Sequence, residues 1–136
     1  MEEELITPEN VSKEFLKAIF DAAFMDASYD SDGDLRVKDQ VSCFVFPSER
    51  KDRIRLATYF NFKPEASRLQ RLECINHIND EYIIVRAIVG DRDSLRFTCD
   101  IPIAGGISKK AFILTCKRFC SIPHDAVQEF GNDIVK

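Results

Sequence analysis

Hydrophobic residues along this chain change their spacing several times, and each change marks an element. Val11, Phe15, Ala18, Ile19, Ala22 and Met25 recur at three- and four-residue intervals, the period of a helix with a buried stripe. Leu16, Phe20 and Phe24 widen the stripe, so this helix is expected to be covered on more than one side. Thr7-Pro8-Glu9-Asn10 offers its start: a hydroxyl cap, proline at the first helical position and an acid in the first turn. Its expected end is near Ala27, ahead of the turn-rich stretch at 29–34.

The period then drops to two. Leu35 and Val37 sit between charged neighbours as a short strand. Residues 41–46 form a second, closed by Pro47 and a polar run at 48–53. Residues 54–62 form a third, with Ile54, Leu56, Thr58, Phe60 and Phe62 on one face. Lys63-Pro64-Glu65 opens a helix whose apolar positions are Leu69, Leu72, Ile75 and Ile78, and Asn76, Asn79 and Asp80 end it. The β-branched run at 82–89 predicts a strand, Gly90-Asp91-Arg92-Asp93 a turn, and Leu95, Phe97, Cys99 and Ile101 the following strand. Ser108 caps a last helix with Phe112, Ile113, Cys116, Phe119 and Cys120 on one face. Pro123 interrupts it before a short continuation to about Phe130. The expected fold class is α+β, in the order α-β-β-β-α-β-β-α. The connections are too short for crossovers, so the sheet should be antiparallel, with helices packed on one face.

That arrangement leaves an oddity. If Val41, Cys43, Val45, Ile54, Leu56, Phe60, Val85 and Val89 face the helices, their alternates point outward. Those alternates include Phe44, Phe46, Tyr59, Tyr82, Ile84 and Ile88, mixed with Arg55, Arg86 and Arg96. An aromatic and aliphatic patch fringed by arginine has the composition of an association surface. Phe44, Phe46, Arg55, Tyr59, Tyr82, Ile84, Arg86 and Ile88 are therefore the candidate partner-binding residues. The competing expectation is that the last helical segment or the tail covers the patch.

Composition bounds the rest. The chain has 136 residues, 45% hydrophobic and 31% charged, which fits one domain over 1–136 and excludes intrinsic disorder. No apolar run approaches the roughly 18 residues of a membrane span, and the acidic start Met1-Glu2-Glu3-Glu4 is unlike a basic secretory signal, so a cytoplasmic location is expected. Nineteen Lys and Arg against 23 Asp and Glu give a net charge of −4. That balance disfavours nucleic acid, although Arg50, Lys51, Arg53, Arg55, Arg68 and Arg71, with Tyr59 nearby, make a dense basic zone that keeps nucleic-acid or nucleotide binding as the alternative.

Catalytic chemistry finds little purchase. The five cysteines include no Cys-x-x-Cys pair and read as reduced core thiols. Cys116, Cys120 and His124 are spaced four apart, but both thiols lie in the apolar stripe and Pro123 intervenes. A Cys120–His124–Asp125 nucleophile system is weak for the same reason. His77 sits on a polar helical face. Asp30-Ser31-Asp32-Gly33-Asp34 lacks the sixth-position Gly and twelfth-position Glu of a calcium loop, since Leu35 and Val41 stand there. With no glycine-rich phosphate loop either, the chain is expected to be non-enzymatic, without cofactor or metal.

Leu69-x-x-Leu72-x-x-Ile75-Asn76-x-x-Asn79, the two strands around the acidic turn, and Gly105-Gly106-Ile107-Ser108 before the last helix resemble the YbjN-like family, a group described as bacterial sensory transduction regulators. The likeness is best over 68–130 and looser between 28 and 53. Members of that family are similar in fold to class I type III secretion chaperones. The resemblance thus implies an antiparallel sheet backed by helices, a homodimer, and a chaperone-like or regulatory adaptor role in which a protein or peptide is held against the sheet's face or edge. It brings no catalytic residues. Asn76 and Asn79, which match a family feature, read as helix-end chemistry.

Overall fold

The first helix starts at Ser12, not Thr7. In the computed structural model, which describes residues 4–136, the Thr7–Asn10 segment closes on itself. Asn10 accepts from the Thr7 N–H at 2.8 Å and donates to the Leu5 carbonyl at 2.8 Å. With Thr7 spent in that turn, Ser12 Oγ takes the Phe15 N–H at 3.0 Å and caps α1, Lys13–Ala22. The helix also ends early. Phe24 adopts a left-handed φ of 60°, which throws its ring outward to 98% exposure instead of into the stripe.

That break creates an element the hydrophobic pattern did not indicate. β1, Asp26–Tyr29, pairs antiparallel with β2, Leu35–Lys38, across the acidic turn. Its residues are exposed or half-buried throughout, so no alternation marks it. The rest follows as β3, Ser42–Pro47; β4, Arg53–Asn61; α2, Arg68–Glu81; β5, Arg86–Val89; β6, Ser94–Pro102; α3, Lys109–Ser121; and α4, Pro123–Phe130. All pairings are antiparallel, in the spatial order β1-β2-β3-β4-β6-β5. The fold is α+β, with β1 added to the expected order and the post-Pro123 continuation standing as a helix of its own.

The core lies between the helices and one sheet face. Leu35, Val37, Cys43, Val45, Ile54, Leu56, Phe62, Leu95 and Phe97 from the strands meet Leu16, Phe20, Ile78, Phe112, Cys116, Phe119 and Cys120 from the helices, all buried. Phe20 and Phe112 join α1 to α3 with ring centroids 5.3 Å apart. Fully burying a side chain of this size contributes about 1.5–3 kcal/mol, so this layer supplies most of the stability. In α2 the buried residues are Cys74 and Ile78, while Leu69 and Leu72 are exposed, rotating the helix away from the face that its leucines suggest. Arg71 explains the rotation. It donates to the Ala66 and Lys63 carbonyls at 3.1 and 3.2 Å, pairs with Asp93 at 2.8 Å and lies over the Phe62 ring.

Both ends of the described chain are tied down on this side. Ile6 bridges to Ile107 at the entry to α3, where Gly106, at φ +91°, takes a left-handed conformation that glycine adopts without strain, packed beside Leu5. Val135 bridges to Phe62 and joins the core, and Lys136 N–H bonds the Asn61 carbonyl at 2.8 Å. Neither the tail nor α4 crosses to the other face of the sheet.

Candidate partner-binding face

Strand register fixes what projects from the side without helices. One row crosses all six strands: Ser28 on β1, Arg36 on β2, Phe44 on β3, Ala57 on β4, Thr98 on β6 and Arg86 on β5. A second holds Phe46, Arg55 and Asp100, and a third Tyr59, Arg96 and Ile88. Ala57 and Thr98 are small, and longer residues surround them. A groove of about 510 Å³ results, with these two as floor and Phe46, Arg55, Tyr59 and Arg96 among its walls. The floor residues are only 1% and 2% exposed although no helix covers them.

The aromatic wall is self-packed. Phe44 and Phe46 lie parallel at 5.7 Å, Tyr59 meets Phe44 edge-on at 5.9 Å, and the Arg36 guanidinium sits 5.9 Å over the Phe44 ring. Arg55 grips Asp100 with two bonds of 2.8 and 3.0 Å, while Arg53 and Arg86 reach the same carboxylate at 3.9 Å. The Arg55 hydrogen bonds, aided by the other cations, hold the Asp100 carboxyl below the usual carboxylate range. One acid is thus shared by three arginines. The Nε atoms of Arg36 and Arg96 are buried and have no partner among the described residues.

Of the expected binding residues, Phe44, Phe46, Arg55, Tyr59, Arg86 and Ile88 do come together on this face. Tyr82 and Ile84 do not. The strand expected over 82–89 begins only at Arg86 because Tyr82 caps α2, donating to Glu129 at 2.6 Å and packing edge-on against Phe130. That bond pushes the phenol's pKa up to about 12. Ile84 sits in the connecting loop with a left-handed φ of 59°, outside any strand pairing. Ala57, Thr98 and Arg36 belong to the face and were not singled out by sequence. Their signal was available: with Leu35 and Val37 facing the core, Arg36 must point away.

The basic zone at 50–71 divides. Arg53 and Arg55 lie on the open face, Arg50 and Lys51 precede them in the β3–β4 turn, and Arg71 is bound into the fold beside α2. Asn79 departs from its helix-end reading. Its amide takes the Ala87 N–H at 2.7 Å and donates to the Ala87 carbonyl at 3.1 Å, closing the outer edge of β5.

The remaining chemistry-bearing groups are committed to structure. All five cysteines are free and buried. The Cys43 thiol is pushed well up by its contact with Cys120 and by burial, and burial raises Cys74, Cys99 and Cys116. His124 packs edge-on against Phe60 at 5.6 Å and contacts the Gln40 carbonyl at 3.1 Å. Asp30, Asp32 and Asp34 gather their carboxylates within 4.8 Å, and Asp30 accepts the Asp32 and Asp34 N–H groups at 2.9 Å as a self-closed turn. Elsewhere, α1 and α3 leave an apolar groove of about 350 Å³ lined by Phe15, Ala18, Ala22, Ile113 and Leu114. No described helix is long and apolar enough to cross a membrane.

Sheet, helical backing and open face define the class: α+β proteins of the type III secretion chaperone-like fold. The fold is similar to that of YbjN from E. coli, titled a putative transcription regulator, at TM-score 0.78 and 12% identity, covering 93% of this chain and 96% of that one. It is also similar to an uncharacterized protein from Methanothermobacter thermautotrophicus at TM-score 0.61 and 18% identity, covering 89% and 100%. The Yersinia pestis type III secretion chaperone SycH, solved in complex with a stable fragment of YscM2, matches at TM-score 0.50 and 12% identity, covering 85% and 97%. The sequence profile described as "Putative bacterial sensory transduction regulator" matches residues 12–132, and the chain belongs to that family, YbjN. No curated protein matches the sequence significantly.

Proposed function

We propose that this protein is a non-enzymatic protein- or peptide-binding module acting as a regulatory or chaperone-like adaptor, with the open sheet face as its docking surface. The observation that carries this reading is the groove over Ala57 and Thr98. An aromatic wall and several arginines converge there, and no described segment of the chain covers them. Apolar contacts with Phe44, Phe46 and Tyr59 would supply affinity, and the guanidinium groups would fix orientation. Docking at a sheet edge is less favoured at β5, where Asn79 already occupies the Ala87 backbone groups. SycH, solved with a protein fragment bound, gives the fold a precedent for protein partners.

The module works as a homodimer in a reducing, cytoplasmic setting, which suits five free buried thiols. Arginines on the open face oppose sheet-to-sheet pairing of two copies. The apolar α1–α3 groove, with the exposed Phe24 directly following Ala22 and Ala23 of its lining, better suits a second copy in a two-fold contact. Light scattering on the wild type and on Leu114→Asp tests the dimer: a wild-type dimer and a variant monomer are expected, and a wild-type monomer refutes it. Selecting random displayed dodecapeptides on the wild type and on Phe44→Asp tests the docking surface. An enriched pool on the wild type alone is expected; no enrichment, or equal enrichment on both, overturns it.

A further inference from the structure

The outward-facing residues of the strands carry an unusual charge balance. Arg36, Lys38, Arg53, Arg55, Arg86 and Arg96 project from this side, against Asp26 and Asp100. With Arg50, Glu49 and Asp52 of the β3–β4 turn, which also line the groove, seven cations meet four anions, which leaves 12 Lys and Arg against 19 Asp and Glu for the rest of a chain whose net charge is −4. The cations are concentrated on the one sheet face that nothing in the described chain covers. Resting on the docking-surface reading above, we infer that the occupant of this face is an acidic, extended polypeptide segment.

The register row gives the match its shape. Arg36 and Arg86 are the two cations of that row, with Phe44 and the small floor residues Ala57 and Thr98 between them and Ser28 of β1 beyond Arg36. Four strand spacings of about 4.8 Å put the two arginines roughly 19 Å apart, the reach of about six extended residues. A segment with carboxylates about six residues apart would meet a guanidinium at each end. An apolar side chain between them would rest on Ala57 and Thr98 beside Phe44. The guanidinium groups of Arg36, Arg86 and Arg96 can donate to such carboxylates, and charge-assisted bonds to guanidinium are the stronger kind.

A single-stranded nucleic acid is the competing anion, and two observations count against it. Base stacking needs presented ring faces, yet Phe44 is flanked by Phe46, Tyr59 and Arg36. A polynucleotide would also extend beyond the groove onto a surface dominated by acids.

The test repeats the display selection on Arg36→Glu/Arg96→Glu and reads the composition of the pools. Asp and Glu should rise at least threefold over the input on the wild type and fall back to input on the double variant. The strongest wild-type peptide should bind at least tenfold more weakly when its acids are changed to Asn and Gln. A wild-type pool with input levels of Asp and Glu overturns the inference while leaving a peptide-binding face intact. The absence of any enriched pool overturns the docking-surface reading as well. An oligouridylate that binds more tightly than the selected peptide overturns the inference in favour of nucleic acid. Both arginines are on the solvent side of the sheet, and an unchanged circular dichroism spectrum of the double variant confirms that it folds.

Discussion

On β4, Ile54 and Leu56 are shielded by helices, while Arg55, Ala57 and Tyr59 alternate with them on the same strand and meet no helix. The inner set is stabilised by burial in a continuous core. The outer set is held by contacts within the face itself: a stacked phenylalanine pair, an arginine over a ring, and a carboxylate shared among three guanidiniums. Core residues are interchangeable with others of similar volume, whereas the outer residues carry charges and shapes that contribute far less to stability than the buried layer. The difference teaches where to look for function: at costly groups the fold leaves uncovered.

The comparison predicts a steep gradient of stability effects. Phe112→Ala, which removes the partner of Phe20 in the core, should lower unfolding free energy by about 3–5 kcal/mol in urea titrations. Phe44→Ala on the outer face should cost no more than about 1 kcal/mol in the same assay. Equal losses would mean the outer face is structural. Arg71→Ala follows, at about 2–3 kcal/mol, because it strands the Ala66 carbonyl, leaves the Lys63 carbonyl with the Ala66 N–H alone and frees Asp93. A negligible change would return Arg71 to the pool of binding candidates. Asn79→Ala should cost about 1–2 kcal/mol and speed amide exchange at Ala87, exposing the β5 edge. Unchanged exchange there would show that the edge is protected otherwise.

The smallest effect is electrostatic. Asp100 titrates below its ordinary value in the fold because Arg55 binds its charged form. Its contribution is present above the unfolded-state value and disappears as the pH falls through the lower, folded one. Asp100→Asn should therefore reduce stability at neutral pH and flatten the acid limb of the stability profile. Parallel profiles for variant and wild type would contradict the role given to the carboxylate.

The inner layer was legible because burial imposes periodicity, as the alternating run from Ile54 to Phe62 shows. β1 was not: it is a short edge strand whose one inward residue, Ala27, is only half-buried, and only the Phe24 turn and its pairing with β2 define it. In α2 the leucines pointed to the wrong face because a hydrogen-bonded arginine, not an aliphatic residue, occupies part of the inner one. Tyr82 and Ile84 have strand-like composition, but a bond to Glu129 and a left-handed turn keep them out of the sheet. Six of the eight candidate binding residues followed from parity alone, since a strand that buries one face must present the other. The groove is not legible in the sequence because it arises from small residues on neighbouring strands, Ala57 and Thr98, which only register brings together.

The most direct test is an amide chemical-shift map of the isotopically labelled protein titrated with the strongest displayed peptide. The account predicts that the largest changes fall on Phe44, Ala57, Arg96 and Thr98, with Ala18, Ile113 and Leu114 unmoved. Changes centred on the α1–α3 groove or on β1, with the open face silent, would contradict it.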